Sequence, residues 1–176
     1  MSGSPYQIRL ARPEEVASLP AIELAAAQLF AGTDLGLDDT ALEDTAPVES
    51  LAAAQRAGML WVAIAPSGEP VGFAYGRMLG GEPHLAELDV HPDHGRRGLG
   101  AKLVRALIEW ARAHGAAGVT LSTFRDVAWN GPFYARLGFR ALEPSELDDA
   151  HRELIAIEAR KGLPVERRVV MRLALR

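Results

Sequence analysis

The chain reads as an α+β domain, and three observations carry that reading. Segments with a two-residue apolar period alternate with segments of helical period along most of the sequence. A strand ending at Val90 runs through a glycine-rich turn into a long amphipathic helix, Gly98 to His114, and a new strand opens at Gly118; that is a strand-helix-strand crossover. The 176 residues contain no repeat, low-complexity tract or linker, so a single domain over residues 1–176 is expected.

The elements follow in order. Tyr6 to Leu10 alternates as a strand, with Tyr6, Ile8 and Leu10 on one face. Pro13-Glu14-Glu15 suits a helix start, because proline fits the first turn and acids complement the dipole. The pattern continues through Leu19, Ile22, Leu24 and Leu29, and Pro20 should kink or split it. Gly32 to Ala46 is acidic and poorly periodic, so a mobile loop is expected there. Pro47 to Gly58 reads as a helix closed by Gly58.

Met59 to Ile64 reads as a buried strand, Pro66 to Pro70 as a hairpin turn, and Val71 to Met78 as the returning strand. After the turn Gly80-Gly81-Glu82-Pro83, His84 to Val90 forms the next strand. The long helix puts Leu99, Leu103, Val104, Leu107, Ile108 and Ala111 on one face. Gly118 to Thr123 is a strand, Trp129 to Leu137 a short helix, and Gly138 to Leu142 a strand. An acidic helix from Ser145 to Lys161 precedes the last strand, Glu166 to Leu175, which alternates at Val169, Met171, Leu173 and Leu175.

Composition narrows the function. The absence of cysteine excludes disulfides, thiolate zinc sites and a cysteine nucleophile. Five histidines without an HExxH-type pair give no reason to expect a metal. Nineteen basic against twenty-three acidic residues leave a net charge of −4, with no basic surplus to grip a phosphate backbone. No nucleic-acid partner is therefore expected. The longest apolar run, Met59 to Ala65, is too short to span a bilayer, and residues 1–5 lack the pattern of a signal peptide. A cytoplasmic protein with no membrane partner is the expectation.

Two stretches carry chemistry. In the first, His91-Pro92 stops a strand and Gly95-Arg96-Arg97-Gly98-Leu99-Gly100-Ala101 feeds a helix. The first N–H groups of a helix lack intrahelical partners, and the macrodipole makes their surroundings positive. Gly98 and Gly100 let a phosphate approach the backbone, and Arg96 and Arg97 can add charge and bidentate hydrogen bonds. The same residues would also serve a tight strand-to-helix turn with arginines in solvent. Neither a Walker lysine nor the dinucleotide G-x-G-x-x-G is present. In the second stretch, Asn130 and Tyr134 are four apart and share a face if helical, beside Phe133 and ahead of Gly138-Phe139. Capping by Asn130 and packing by Tyr134 would explain that pair equally well.

The two stretches in this order resemble the GNAT superfamily of N-acetyltransferases. The family signature, Gln/Arg-x-x-Gly-x-Gly/Ala after a strand ending Val-x-Pro, corresponds to Gly95-Arg96-Arg97-Gly98-Leu99-Gly100 after Val90-His91-Pro92. Gly95 departs from it, with Arg96 adjacent. The downstream Asn130-x-x-Phe133-Tyr134-x-x-x-Gly138-Phe139 is also typical. The resemblance covers roughly residues 7–175. It implies a mixed, mostly antiparallel central sheet of about seven strands flanked by helices; the helix before the last strand is an addition.

The resemblance further implies transfer of an acetyl group from acetyl-CoA, as co-substrate, to an amine. The backbone of Leu88, Asp89 and Val90 would hold pantetheine and acetyl, and a family bulge there would splay the strand from its neighbour. The turn from Gly95 to Ala101 would hold the pyrophosphate, Asn130 and Phe133 would border the pantetheine arm, and Tyr134 would protonate the leaving thiolate. The base is open between Glu82, His84 and Glu87; alternation puts His84 and Glu87 on opposite faces unless a bulge intervenes. The acceptor side would draw on Glu23, Gln28, Phe30 and the acidic loop with Asp34, Asp38, Asp39, Glu43 and Asp44, and Trp129 could add an aromatic wall. Such a loop would favour a cationic primary amine on a small molecule or peptide. An acyl-CoA-binding sensor without turnover is the competing class, and a homodimer is a family option.

Overall fold

The structure is a computed structural model that describes residues 5–176. One seven-stranded sheet organises it, in the order β1-β2-β3-β4-β5-β7-β6. The strands are β1 (Gln7–Leu10), β2 (Leu60–Ile64), β3 (Pro70–Leu79), β4 (Glu82–Val90), β5 (Gly118–Phe124), β6 (Arg140–Ala141) and β7 (Arg168–Ala174). Every neighbouring pair is antiparallel except β4 and β5. The helices are α1 (Leu19–Ala27), α2 (Asp39–Glu43), α3 (Val48–Arg56), α4 (Leu99–Ala113), α5 (Gly131–Arg136) and α6 (Asp149–Arg160). The mostly antiparallel α+β sheet expected from the sequence is the one observed.

Apolar residues cover both faces of the sheet. On one face, Leu99, Leu103, Val104, Leu107 and Ala111 of α4 meet Trp61, Ala74, Leu85, Leu121 and Met171. On the other, Leu19 and Ile22 of α1 and Leu51 and Ala54 of α3 meet Leu60, Val62, Ile64 and Phe73. Strand β7 follows the predicted alternation, with Val169, Met171 and Leu173 on the α4 face. Its opposite face carries Arg168 and Arg172 on either side of the buried Val170. There Arg168 pairs with Glu158 of α6, and Arg172 with Glu82.

Several boundaries differ from the sequence reading for identifiable reasons. Pro20 does split the first helical stretch: Pro13–Ser18 is a 3-10 helix and α1 starts at Leu19, so proline sits in a first turn where its missing N–H is harmless. Leu10 ends the edge strand exposed rather than buried. The segment expected as a mobile loop contains α2, whose first turn is capped by the Asp38 carboxylate accepting from the Ala41 N–H at 2.8 Å. Ion pairs Asp34–Arg167 and Asp44–Lys161, at 3.2 and 2.9 Å, fasten that segment to the C-terminal part of the chain. Two of its five acids, Asp34 and Asp44, are thus paired with cations, and Asp38 caps α2.

The feature that positions the site lies between β4 and β5. The strands pair only at His84↔Thr120 and Leu85↔Leu121. Beyond that point β4 stays laddered to β3 through Val90, while β5 turns to β7 through Phe124. A bulge at Ala86 adds the extra residue, since Tyr75 faces Glu87 and Gly76 faces Leu85. The result is a notch in the sheet, flanked by the C-terminal ends of two parallel strands.

Candidate active site

The glycine turn closes one side of the notch. Pro92 ends β4's path because it cannot donate to a ladder, and a short 3-10 turn, Pro92–His94, leads to Gly95. Gly98 has φ +75° and caps α4, a conformation that favours glycine. Arg96 also has positive φ, at 58°, and is the only non-glycine residue to do so among those described; a side chain held there is strained and marks a constrained turn. The first bond of α4 runs from the Lys102 N–H to the Gly98 carbonyl at 3.2 Å. The N–H groups of Leu99, Gly100 and Ala101 therefore have no intrahelical partner. A Cβ added at Gly98 would meet nothing within 4 Å, so the space over the turn is open.

This arrangement fits an anion. A groove above it is lined by Val90, Gly95, Arg96, Gly98, Gly100, Ala101, Trp129, Phe133 and Arg136. Two expectations need adjustment here. Arg97 turns back on the Tyr6 ring, 5.6 Å from its centroid, rather than into the groove. Leu99 is 2% exposed, so its side chain belongs to the core and only its backbone can serve a ligand.

The open edge of β4 forms the notch wall. The His91 N–H donates to the Val71 carbonyl of the β3 side at 2.8 Å. With two-residue alternation, Glu87 and Asp89 turn their backbone groups to β3, while Leu88 and Val90 turn theirs to the open edge. This corrects the expectation for Asp89, whose backbone is occupied. What Asp89 offers the site is its side chain.

The helical face expected to be shared by Asn130 and Tyr134 does not form. Asn130 precedes α5 as its cap residue, and its Oδ1 accepts from the Thr123 hydroxyl at 2.7 Å and the Phe124 N–H at 3.4 Å. It pins the start of α5 to β5 instead of sharing a helical face with Tyr134. That anchoring aims Tyr134, which packs edge-on against Phe133 and Phe139. Burial, then the charges of Glu87 and Asp89, push the Tyr134 phenol well above its ordinary pKa. The hydroxyl thus keeps its proton and feels both carboxyls across the notch.

The base candidates separate cleanly. Glu82 is bound to Arg172 by two hydrogen bonds, at 2.6 and 2.9 Å, at the far end of β4. His84 is 2% exposed, with Nδ1 2.8 Å from the Thr120 hydroxyl. Burial, then Arg77, His151 and Arg168, lower its pKa to about 3. A closed-in, neutral imidazole of that kind collects no proton near neutrality, and His84 is corrected from a base to a structural residue. Glu87 remains. The bulge at Ala86 puts Glu87 on the same face as His84, opposite Tyr75, and alternation adds Asp89 to that face.

Asp89 and Glu23 were the less legible members. Glu23, on α1, is 7% exposed and accepts from the Ala46 N–H at 2.9 Å. It brings a carboxylate oxygen within 4.8 Å of oxygens from Glu87 and Asp89, a spacing that could hold a cation. Burial, then Glu87, raise the Glu23 pKa to about 8. Burial also raises Glu87 and Asp89. Period-two spacing of Glu87 and Asp89 was a usable signal for a carboxyl pair; nothing in the sequence brought Glu23 to it. Phe30 packs against Phe124 and Trp129, 5.5 and 5.6 Å away between ring centroids.

Comparison with known proteins agrees with this geometry. The model of the acetyltransferase (GNAT) family matches residues 26–139. The chain belongs to that family. A peptidyl-lysine N-acetyltransferase of Salmonella typhimurium, YjaB, is 34% identical over 90 residues, 51% of this chain. The match spans 56% of that protein, little more than half its length. Among solved structures, a PaiA N-acetyltransferase of Thermoplasma acidophilum in complex with coenzyme A has a TM-score of 0.73 at 16% identity, covering 99% of this chain and 100% of the other. That likeness is one of fold. A GCN5-related N-acetyltransferase of Rhodopseudomonas palustris has a TM-score of 0.69 at 28% identity, with 99% of each chain covered.

The titrations make stability depend on pH in two directions. Glu23 is raised from 4.5 to about 8, so across that window the fold holds a proton that the unfolded chain has released, and stability falls as pH rises. His84 is lowered from 6.5 to about 3, so stability falls as pH drops through that window. Above pH 6.5 only the carboxyl effect acts. The melting temperature should therefore fall from pH 6.5 to about 8, and Glu23→Gln should lessen the fall. A flat profile in the unmodified protein would show that Glu23 is already ionised.

Proposed function

We propose that this protein is an acetyl-CoA-dependent N-acetyltransferase that acetylates a primary amine of a small molecule or peptide by direct attack in a ternary complex. The observation that carries the reading is the notch between β4 and β5, where an open backbone edge, the glycine turn, Tyr134 and Glu87 converge. Family membership and relatives solved with coenzyme A support it. The name of the Salmonella relative, a peptidyl-lysine N-acetyltransferase, supports a primary amine as acceptor.

Acetyl-CoA supplies the thioester, whose carbonyl carbon is the electrophile. The N–H groups of Leu99, Gly100 and Ala101 hold the pyrophosphate, with Arg96 and Arg136 adding charge. Leu88 and Val90 hold the pantetheine arm as a strand would, and the Val90 N–H is placed to polarise a carbonyl oxygen. Phe133 packs against the arm.

Glu87 takes the ammonium proton, so that the amine attacks as a neutral nucleophile. Tyr134 gives its proton to the departing thiolate. Its raised pKa does not oppose this, because the same apolar surroundings raise the pKa of a thiol. Trp129, in the groove over the glycine turn and packed on Phe30, borders the bound cofactor.

Three outcomes test the reading. Gly100→Val places a larger side chain beside Phe133, whose ring lies 3.5 Å from an added Cβ, and should weaken coenzyme A by about 10-fold or more in calorimetry. Tyr134→Phe should lower turnover by about 10²-fold with coenzyme A affinity nearly constant. If turnover is preserved, the thiolate leaves without help from Tyr134. Because Glu87 must be ionised and its pKa is raised, kcat/KM should climb with pH above the ordinary carboxylate range, and Glu87→Gln should abolish that limb. Release of thiol over a panel of amines reads all of these, and coenzyme A binding without release from any amine would make the protein a sensor instead.

A further inference from the structure

One contact at the glycine turn comes from far along the chain. The Tyr6 hydroxyl lies 2.8 Å from Nδ1 of His94, 88 residues away. The two rings meet edge to face, 5.8 Å apart between centroids. The Arg97 guanidinium stands 5.6 Å from the centroid of the same Tyr6 ring. Tyr6 therefore holds His94 and Arg97 at once. Between them lie Gly95 and the left-handed Arg96, at φ 58°. A side chain keeps such a conformation only where its surroundings fix it. Tyr6 is itself anchored: it packs against the core on the α4 face, and β1, which follows it, is laddered to β2 from Gln7 to Leu10.

The same contact decides what His94 offers a ligand. His94 is half-buried and lines the groove over the turn, beside Gly95, Arg96 and Gly98. Tyr6 occupies its Nδ1, so Nε2 is the ring nitrogen left for a ligand. A neutral imidazole carries one N–H and one bare nitrogen. When a phenol donates to Nδ1, the ring proton sits on Nε2, which is then a donor. An ionised phosphate oxygen only accepts, so that tautomer is the one that suits it.

We infer that Tyr6 and His94 extend the cofactor site: the Tyr6 hydroxyl donates to Nδ1 of His94 and thereby presents Nε2–H to a phosphate oxygen of acetyl-CoA. His94 touches the cofactor, and Tyr6 acts through it as a positioning residue. The inference rests on the acetyl-CoA reading proposed above. It adds to the backbone donors of the glycine turn a side-chain donor whose direction is set by a residue outside the turn.

The test is a double-mutant cycle read as coenzyme A affinity by calorimetry. Tyr6→Phe keeps the ring under Arg97 and removes only the hydroxyl. His94→Ala removes the donor and should weaken coenzyme A by about 10-fold. Tyr6→Phe should weaken it by a smaller factor, and the double variant should lose no more than His94→Ala alone. In steady-state assays Tyr6→Phe should raise KM for acetyl-CoA by more than it changes kcat. A Tyr6 that served the fold alone would lower the melting temperature, and its effect on affinity would not vanish in the His94→Ala background. The unmodified protein gives a second readout that needs no variant: nitrogen NMR of the His94 ring should show the proton on Nε2, with the Nε2 signal moving when coenzyme A binds.

Unchanged coenzyme A affinity in a folded His94→Ala variant would overturn the inference and leave the acetyl-CoA reading intact. Additive losses across the cycle, or a ring proton on Nδ1 in the unmodified protein, would do the same. Failure of the unmodified protein to bind coenzyme A would overturn both.

Discussion

Everything at the site follows from one failure of strand pairing. A parallel ladder between β4 and β5 begins at His84↔Thr120 and stops at Leu85↔Leu121, although both strands continue. Continuing it would have used the backbone groups of Leu88 and Val90. Leaving it open gives the molecule a strip of strand edge in the middle of the sheet, where edges are normally a liability. The bulge at Ala86 produces the separation and also shifts the side-chain phase, so that one insertion both exposes backbone and brings Glu87 and Asp89 to the α1 face. The glycine turn and the unpaired N–H groups of α4 lie at the end of that same strand. Backbone recognition and acid-base chemistry are thus consequences of a single irregularity.

Burial then decides the chemistry of each group. His84 and Glu87 lie on one strand and one face, yet burial drives their pKa values in opposite directions, because desolvation penalises whichever form is charged. His84 becomes a neutral strut bonded to Thr120. Glu87, with Asp89 and Glu23 beside it, becomes a carboxyl that holds its proton more tightly than usual. Tyr134 stands across from them with its own proton retained. The cations of the neighbourhood are committed elsewhere, in pairs that fix α6 and the 31–46 segment in place.

Much of this was legible in the sequence, and the gaps have physical causes. The glycine turn, the amphipathic α4 and the alternation of β7 are local patterns, and local patterns survive folding. Tyr134 was found because its motif is local as well. The polar side of β7 gave no sign of its partners: Arg168 reaches Glu158 of α6 and Ser122 of β5, and Arg172 reaches Glu82 of β4. The acidic stretch containing Asp34 and Asp44 looked like an open charge patch because Arg167 and Lys161, its partners, lie more than a hundred residues away. Glu23 was readable as an acceptor-side residue, but not its meeting with Glu87 and Asp89, which exists only once α1 has docked on β4. The phase of Glu87 relative to His84 depended on a bulge that alternation cannot announce.

Amide hydrogen exchange along β4, measured with and without acetyl-CoA, tests the open edge directly. The account predicts that the Leu88 and Val90 amides exchange readily in the free protein and slow markedly when acetyl-CoA binds, while the Glu87 and Asp89 amides, laddered to β3, are slow in both. Slow exchange at all four positions without the ligand, unchanged on its addition, would mean that β4 has no free edge and would contradict the account.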